Sequence, residues 1–315
     1  MSKVKLTVIT PVFNEERVLE HFYERTKEVL ATLEGIESTL LFVVDQCSDN
    51  SLNILKGLAE KDKMVRVISL SSRFGHQMSL LAGIEKSKEA DAIIMMDSDL
   101  QHPPELIPEL LENFKNGCDV VFTVRKDTDD VGALRKFAGN MFYAFLSKLS
   151  KVPITANAAD FRLISGRVAK ILSEDFKEQN LFMRGLFSWI GFKQIGVEFT
   201  AEKRHAGESK YSFSRMVQLA LAGILSLSTK PLQLGIFLGL GFATLAFALM
   251  VWAIVEFFLN QSLPDGWTTI VVLLLFFSGT ILFVLGIIGA YIGAIYEEVK
   301  GRPRYIIDED ISHHG

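Results

Sequence analysis

A chain of 315 residues with 49% hydrophobic residues and a mean hydropathy of +0.27 is more apolar than a soluble enzyme of that length needs. The formal net charge of −4 is spread unevenly, and the two cysteines, Cys47 and Cys118, have neither a C-x-x-C partner nor a ligand cluster around them. A disulfide framework and a thiolate metal site are thereby excluded, and both cysteines read as ordinary buried thiols of a cytosolic domain.

The N-terminus, Met-Ser-Lys-Val-Lys, runs directly into a strand pattern without the apolar core of a secretory signal, so the first two-thirds of the chain is expected in the cytosol. Short apolar runs at 6–10, 40–44, 65–70, 92–96 and 120–124 predict buried strands. Between them, helical periodicity covers about 16–33, 48–60, 77–87 and 105–116. This β-α-β-α series predicts an α/β, Rossmann-like and mostly parallel sheet covered on both faces.

Ligands bind such sheets at the carboxyl ends of the strands, and the residues there are polar and unusual for plain turns. Strand one ends Pro11-Val12-Phe13-Asn14-Glu15, strand two Asp45-Gln46-Cys47-Ser48-Asp49, and strand three Ser71-Ser72-Arg73-Phe74-Gly75-His76. Strand four ends Asp97-Ser98-Asp99-Leu100-Gln101 and strand five Arg125-Lys126. Further on, residues 135–149 and 212–227 read as amphipathic helices suited to a membrane interface.

Residues 234–255 and 267–296 contain no Asp, Glu, Lys or Arg, and each exceeds the roughly 20 residues that cross a bilayer. Lys203, Arg204, Lys210, Arg215 and Lys230 precede the first run, and Lys300, Arg302 and Arg304 follow the second. The connecting loop has no Lys or Arg. This asymmetry places both termini in the cytoplasm of a two-span protein of the cell membrane, and the basic flanks suit anionic lipid without any nucleic acid. The expected organisation is therefore a cytoplasmic catalytic domain over 1–211, an interface helix over 212–230, membrane helices over 231–259 and 267–296, and a cytoplasmic tail over 297–315. From residue 302 onward that tail is expected to be a short extended or disordered end.

Asp97 and Asp99 follow an apolar strand, whose pleat sends both carboxylates to one side. Two hard oxygen ligands there suit Mg²⁺ or Mn²⁺ holding a diphosphate, although a lone D-x-D before Pro103-Pro104 can equally be a helix cap. Asp45 can accept from a nucleobase N–H, or cap a helix as Asp49 can. His76 reads as a polar surface residue beside a helix start. Arg125, Arg135, Arg204 and Lys210 are the basic residues expected around phosphates, with solvated surface charge as the plain alternative.

Together with Arg73-Phe74-Gly75-His76-Gln77, Asp160-Phe161-Arg162-Leu163, Gly207-Glu208-Ser209-Lys210-Tyr211 and the run from Tyr296 to Pro303, these motifs resemble one family. It is the polyprenyl-phosphate glycosyltransferases related to dolichol-phosphate mannose synthase, in the bacterial two-span branch that includes the O-antigen glucosyl carrier enzymes. The resemblance implies a GT-A fold, inverting transfer, a divalent metal, a nucleotide-sugar donor, a lipid acceptor such as undecaprenyl phosphate, and a homo-oligomer, with a tetramer expected. By position, Pro11, Phe13, Glu15 and Asp45 resemble the nucleoside pocket, and Asp97, Asp99 and Gln101 the metal and diphosphate site. Asp160 stands at the position of the proposed catalytic carboxylate. Arg125, Arg135, Arg204, Ser209 and Lys210 resemble residues near the donor and acceptor phosphates.

Two departures stand out. The family often carries Asp-Asp-Gly-Ser after strand two, where this chain has Val44-Asp45-Gln46-Cys47, and Ala290 replaces a common glutamate. UDP-glucose is the first expectation for the donor, with another UDP-sugar or GDP-mannose behind it. A processive polysaccharide synthase is the second enzymatic reading, weakened by only two spans and no Gln-x-x-Arg-Trp motif. A nucleotide-sensing membrane scaffold is the non-enzymatic one.

Overall fold

The computed structural model describes residues 3–126, 158–179, 183–200, 230–260 and 266–312. The alternating first half forms as expected: β1 (Val4–Val12), α1 (Leu19–Ala31), β2 (Ile36–Val44), α2 (Ser51–Lys61), β3 (Val65–Leu70), α3 (His76–Lys86), β4 (Ala92–Met95), α4 (Ile107–Lys115) and β5 (Val120–Arg125). Then come β6 (Ala158–Ser165), α5 (Gly166–Glu174), α6 (Met183–Ile190) and β7 (Gln194–Phe199). Two long helices, α7 (Lys230–Asn260) and α8 (Trp267–Val299), precede a last strand, β8 (Ile307–Ser312).

The strands form one sheet in the order β7-β5-β6-β4-β1-β2-β3-β8. β1 pairs in parallel with β2 and β4, β2 with β3, and β5 with β7, while β6 and β8 run against their neighbours. The period-two pattern of the strands sorts their side chains into two cores. Leu40, Phe42 and Val44 of β2 pack on one face with Phe22 of α1, Leu55 of α2 and Leu110 of α4. Leu41 and Val43 point the other way, to Leu81 of α3, Val168 of α5 and Phe187 of α6.

β6 escapes sequence reading because Asp160 and Arg162 interrupt its apolar run. It nevertheless lies between β4 and β5, with Arg162 buried opposite Met95 and Phe122. At its far end Gly166 is pressed against the backbone of Ala90: a Cβ there would run into that carbonyl oxygen, while the Gly166 N–H donates to Asp91 O at 2.7 Å. Backbone cannot move aside as a side-chain tip can. Gly166→Ala is therefore expected to destabilise the domain by about 1–3 kcal/mol, seen as a lower thermal midpoint in detergent.

The end of the chain differs from the expected free tail. Ile307–Ser312 adds to the sheet as an antiparallel edge strand on β3. Its sequence, Ile-Asp-Glu-Asp-Ile-Ser, is too acidic to read as a strand, but the register shifts at Ser69/Leu70, so Ile307 and Ile311 join opposite cores. Arg66 holds Asp310 bidentately at 2.9 and 2.8 Å. Between α8 and this strand the chain is tied down throughout. Glu298 accepts from the Gln179 N–H, Arg304 and Tyr305 hydrogen-bond Glu85, and the Ser71 N–H donates to Ile306 O. The segment after the apolar helix is thus part of the α/β domain and braces the start of the β3–α3 loop.

Of the two long helices, the described residues of one, Phe276–Val299, are long and apolar enough to cross a membrane. Its large side chains face outward, Leu282 at 69% and Val299 at 78% exposed. The expected interface helices at 135–149 and 212–227 lie outside the described residues.

Candidate active site

The loops after β1, β2, β3 and β4 meet along the carboxyl edge of the sheet. Pro11 is buried inside β1 opposite Val43, and Phe13 and Glu15 are half-buried just beyond it. Asn14 takes a left-handed conformation (φ 56°), which an asparagine tolerates, and so turns the chain toward the end of β2. There its N–H donates to Cys47 Sγ at 3.3 Å, its Nδ2 donates to Ser48 Oγ at 3.1 Å, and its Oδ1 accepts from the Ser48 N–H at 2.8 Å. Asp49 accepts from the N–H groups of Glu16 and Ser51, each at 3.1 Å, so it both starts α2 and holds the β1–α1 loop. Burial works against its charge, but the hydrogen bonds from Ser51 and Glu16 outweigh that and hold the carboxyl below the usual range. Cys118 is buried as expected, whereas Cys47 is half-buried, and desolvation pushes its thiol up and keeps it protonated.

Asp45, 4% exposed, turns both carboxylate oxygens to the next loop: Oδ1 accepts from the Phe74 N–H and Oδ2 from the Gly75 N–H, each at 2.9 Å. Gly75 sits at φ 90°, a conformation that costs any other residue a steric penalty. The loop so held delivers two side chains. Arg73 lays its guanidinium over the Phe13 ring, 4.2 Å from the centroid. His76, the first residue of α3, brings Nε2 to 2.8 Å from Asp97 Oδ1. Sequence reading places His76 on the surface, where the structure also has it, but does not foresee its contact with Asp97 and does not single out Arg73. The signal for both is their place beside a glycine that ends a strand loop.

Asp97 and Asp99 flank a tight turn in which Leu100 is fully buried at φ 62° and the Gln101 N–H donates to Asp99 Oδ1 at 3.1 Å. Desolvation opposes the charge of Asp97, yet the His76 hydrogen bond and the fields of His102 and His76 prevail against it and against the Asp160 carboxylate. Its carboxyl therefore stays below the usual range and ionised at neutral pH. Behind the turn, His102 Nδ1 accepts from the Asp97 N–H at 3.2 Å and lies 3.7 Å from Asp97 Oδ2.

Asp160 reaches the same place from β6. Met95 pairs with Arg162, and continuing that antiparallel register by two residues carries Asp160 to the level of Asp97. Arg162 stands behind it, 3.9 Å away, with Nη2 donating to Ala159 O at 2.8 Å and its guanidinium over the Phe187 ring. Arg125 ends β5 in an exposed position opposite Phe199. The structure thus gathers Phe13, Glu15, Asp45, Asp97, Asp99, Gln101 and Asp160 along one edge. Arg135, Arg204, Ser209 and Lys210 lie outside the described residues.

Among the described residues no three His, Cys, Asp or Glu side chains form a ready-made cation cluster. Two carboxylates of one turn, one of them held ionised, make an incomplete oxygen set. That suits a hard divalent ion that completes its shell with water and substrate phosphate.

The chain is similar to known proteins over most of its length. The family model described as Glycosyl transferase family 2 matches residues 7–171. An uncharacterized glycosyltransferase of Bacillus subtilis, YkcC, is 39% identical over 307 residues, covering 97% of this chain and 94% of its own. A prophage-derived bactoprenol glucosyl transferase of Shigella flexneri is 36% identical over 312 residues, 99% of each chain. Among solved structures, glucosyl-3-phosphoglycerate synthase from Mycobacterium tuberculosis, in complex with Mn²⁺, UDP and phosphoglyceric acid, is similar at a TM-score of 0.47 and 16% identity, covering 71% of this chain and 78% of that one.

Proposed function

The chain belongs to glycosyl transferase family 2, and from that premise we propose that it moves a sugar from a nucleotide diphosphate to a polyprenyl phosphate at the membrane. The observation that carries this is the joint presence of an ionised Asp97 turn facing Asp160 and an apolar helix whose outlet is part of the same fold. Full-length similarity to bactoprenol glucosyl transferases supports the lipid acceptor and makes glucose the first choice of sugar, with UDP as its carrier. The test offers the purified protein undecaprenyl phosphate, a panel of nucleotide sugars and Mg²⁺ or Mn²⁺, and identifies lipid products by mass spectrometry. A glucosyl lipid from UDP-glucose is expected, and no lipid-linked sugar from any donor would overturn the proposal.

In an inverting transfer one oxygen of the acceptor phosphate attacks the anomeric carbon, while the bond from that carbon to the diphosphate breaks on the opposite face. The nucleoside diphosphate leaves with the electron pair. A phosphate monoester has its second pKa near 6, so the acceptor is largely dianionic at neutral pH and needs little help from a base. Asp160 accordingly serves to orient the acceptor or the sugar hydroxyls. Phe13 and Glu15 border the nucleoside and Asp45 supports that border, while Arg125, Arg135, Arg204, Ser209 and Lys210 attract the phosphates. Asp97 and Asp99, with Gln101 beside them, would hold Mg²⁺ or Mn²⁺ through their oxygens. When bound, such an ion would neutralise charge growing on the leaving diphosphate.

The membrane reading extends to both long helices. Residues 234–255 match 267–296 in lacking charge, and the basic residues lie outside the pair. Both termini then face the cytoplasm, where nucleotide sugars are made. Reporter fusions at Gly315 and Ser262 should report cytoplasmic and external locations respectively. A C-terminal reporter found outside would overturn this topology.

A further inference from the structure

One buried polar group at the site has no part in the chemistry above. His102 is 7% exposed and follows the Asp97–Gln101 turn, between Gln101 and the Pro103-Pro104 pair that leads into α4. Its ring stacks on Phe161 (centroids 5.2 Å apart, 22° between planes) and takes the edge of Phe199 at 5.9 Å. Phe161 is itself fully buried in β6, its carbonyl accepting from Thr123 Oγ1 at 2.8 Å, and it directly follows Asp160. A backbone N–H can donate only to an unprotonated ring nitrogen, so the 3.2 Å bond from the Asp97 N–H fixes Nδ1 as the acceptor and leaves the proton on Nε2.

We propose that His102 is a positioning residue that fixes the Asp97 turn against the Asp160 strand. Asp97 is held at two points: His76 takes a carboxylate oxygen, and His102 takes the main-chain N–H of the same residue. Through its stack on Phe161, His102 ties that main chain to β6, so an aromatic contact and one hydrogen bond extend the β4–β6 pairing in fixing the distance between the two carboxylates. Leu100 in a left-handed conformation gives the turn a strained neighbour, which makes a second anchor on the other side of Asp97 useful. The proposal rests on the reading of Asp97 and Asp99 as cation ligands.

Two substitutions separate the acceptor from the ring. H102F keeps an aromatic face for Phe161 but loses the acceptor, and H102N presents an amide oxygen where Nδ1 stood. Mn²⁺ affinity in the presence of UDP, followed by electron paramagnetic resonance on the full-length protein in detergent, is expected to fall about tenfold or more in H102F, as for other residues that orient ligands from behind. H102N keeps the acceptor but loses the stack on Phe161, so it should recover part of it. The metal requirement of turnover should rise in H102F while the apparent constant for the lipid stays unchanged. Wild-type affinity in H102F would overturn the proposal, because it makes the ring only a packing element, and so would wild-type affinity in H102N, because it makes the stack on Phe161 idle.

Heteronuclear NMR of wild-type protein labelled at the histidine ring nitrogens needs no variant that folds poorly. An unprotonated Nδ1 at His102 is expected, and a protonated one overturns the assignment. Wild-type protein that takes up no Mn²⁺ with UDP, while its His102 Nδ1 is unprotonated, would instead overturn the cation reading and leave the hydrogen bond standing.

Discussion

Asp97→Asn and Asp99→Asn are each expected to reduce turnover at least about a hundredfold, because stabilising the leaving diphosphate is worth several kcal/mol in a preorganised site. The substitution keeps the size of the side chain and removes its charge. For Asp97 the consequence is sharper, since the His76 hydrogen bond is made to an anion. An amide there can still meet His76, so the turn should persist and thermal stability should change little. Rate and Mn²⁺ affinity should fall together, and UDP binding without metal should not. Near-normal turnover in both purified variants would rule out a cation at this turn.

The parts of the fold that could be read in advance are those where one physical signal acts alone. β1 to β5 are apolar runs bounded by polar turns, and the structure extends them by at most a few residues. β6 mixes that signal with charge: Asp160 and Arg162 interrupt its apolar run and hide a strand lying inside the sheet. β8 is hidden for another reason. Its two isoleucines are only half-buried, one against each core, and nothing local to Ile307–Ser312 announces a partner more than two hundred residues away.

The site divides in the same way. Asp97 and Asp99 are visible because two carboxylates follow a buried strand. His76 and His102 become meaningful only when the strands bring them to Asp97 from separate segments. Asp49 is expected to cap α2; the structure instead puts it one residue before the N-cap, Asn50, where one oxygen accepts from the Ser51 N–H and the other secures Glu16 across the loop gap.

Asp45 is a strand-end carboxylate that holds a neighbouring loop, and we propose that it serves the nucleotide through that loop without meeting it. It lies 4% exposed, and its two oxygens accept from consecutive N–H groups of the loop that carries Arg73 and His76. Asp45→Ala leaves both N–H groups facing a space where only water could satisfy them. Each loss costs about 1–3 kcal/mol, so a destabilisation of about 2–6 kcal/mol is expected, read as a lower thermal midpoint. Asp45→Asn retains one acceptor oxygen but turns an NH₂ toward the second donor, so its midpoint should fall between those of wild type and Asp45→Ala. The functional effect should exceed the loss of fold, because release of Gly75 frees Arg73 from Phe13 and His76 from Asp97. UDP affinity measured by calorimetry well below the variant's midpoint should therefore drop as well, even though the remaining strand-end residues are unchanged. If Asp45→Ala instead kept its thermal midpoint and lost only nucleotide affinity, the carboxylate would be contacting the donor directly, and the loop would be held by Gly75 and the neighbouring strands without it.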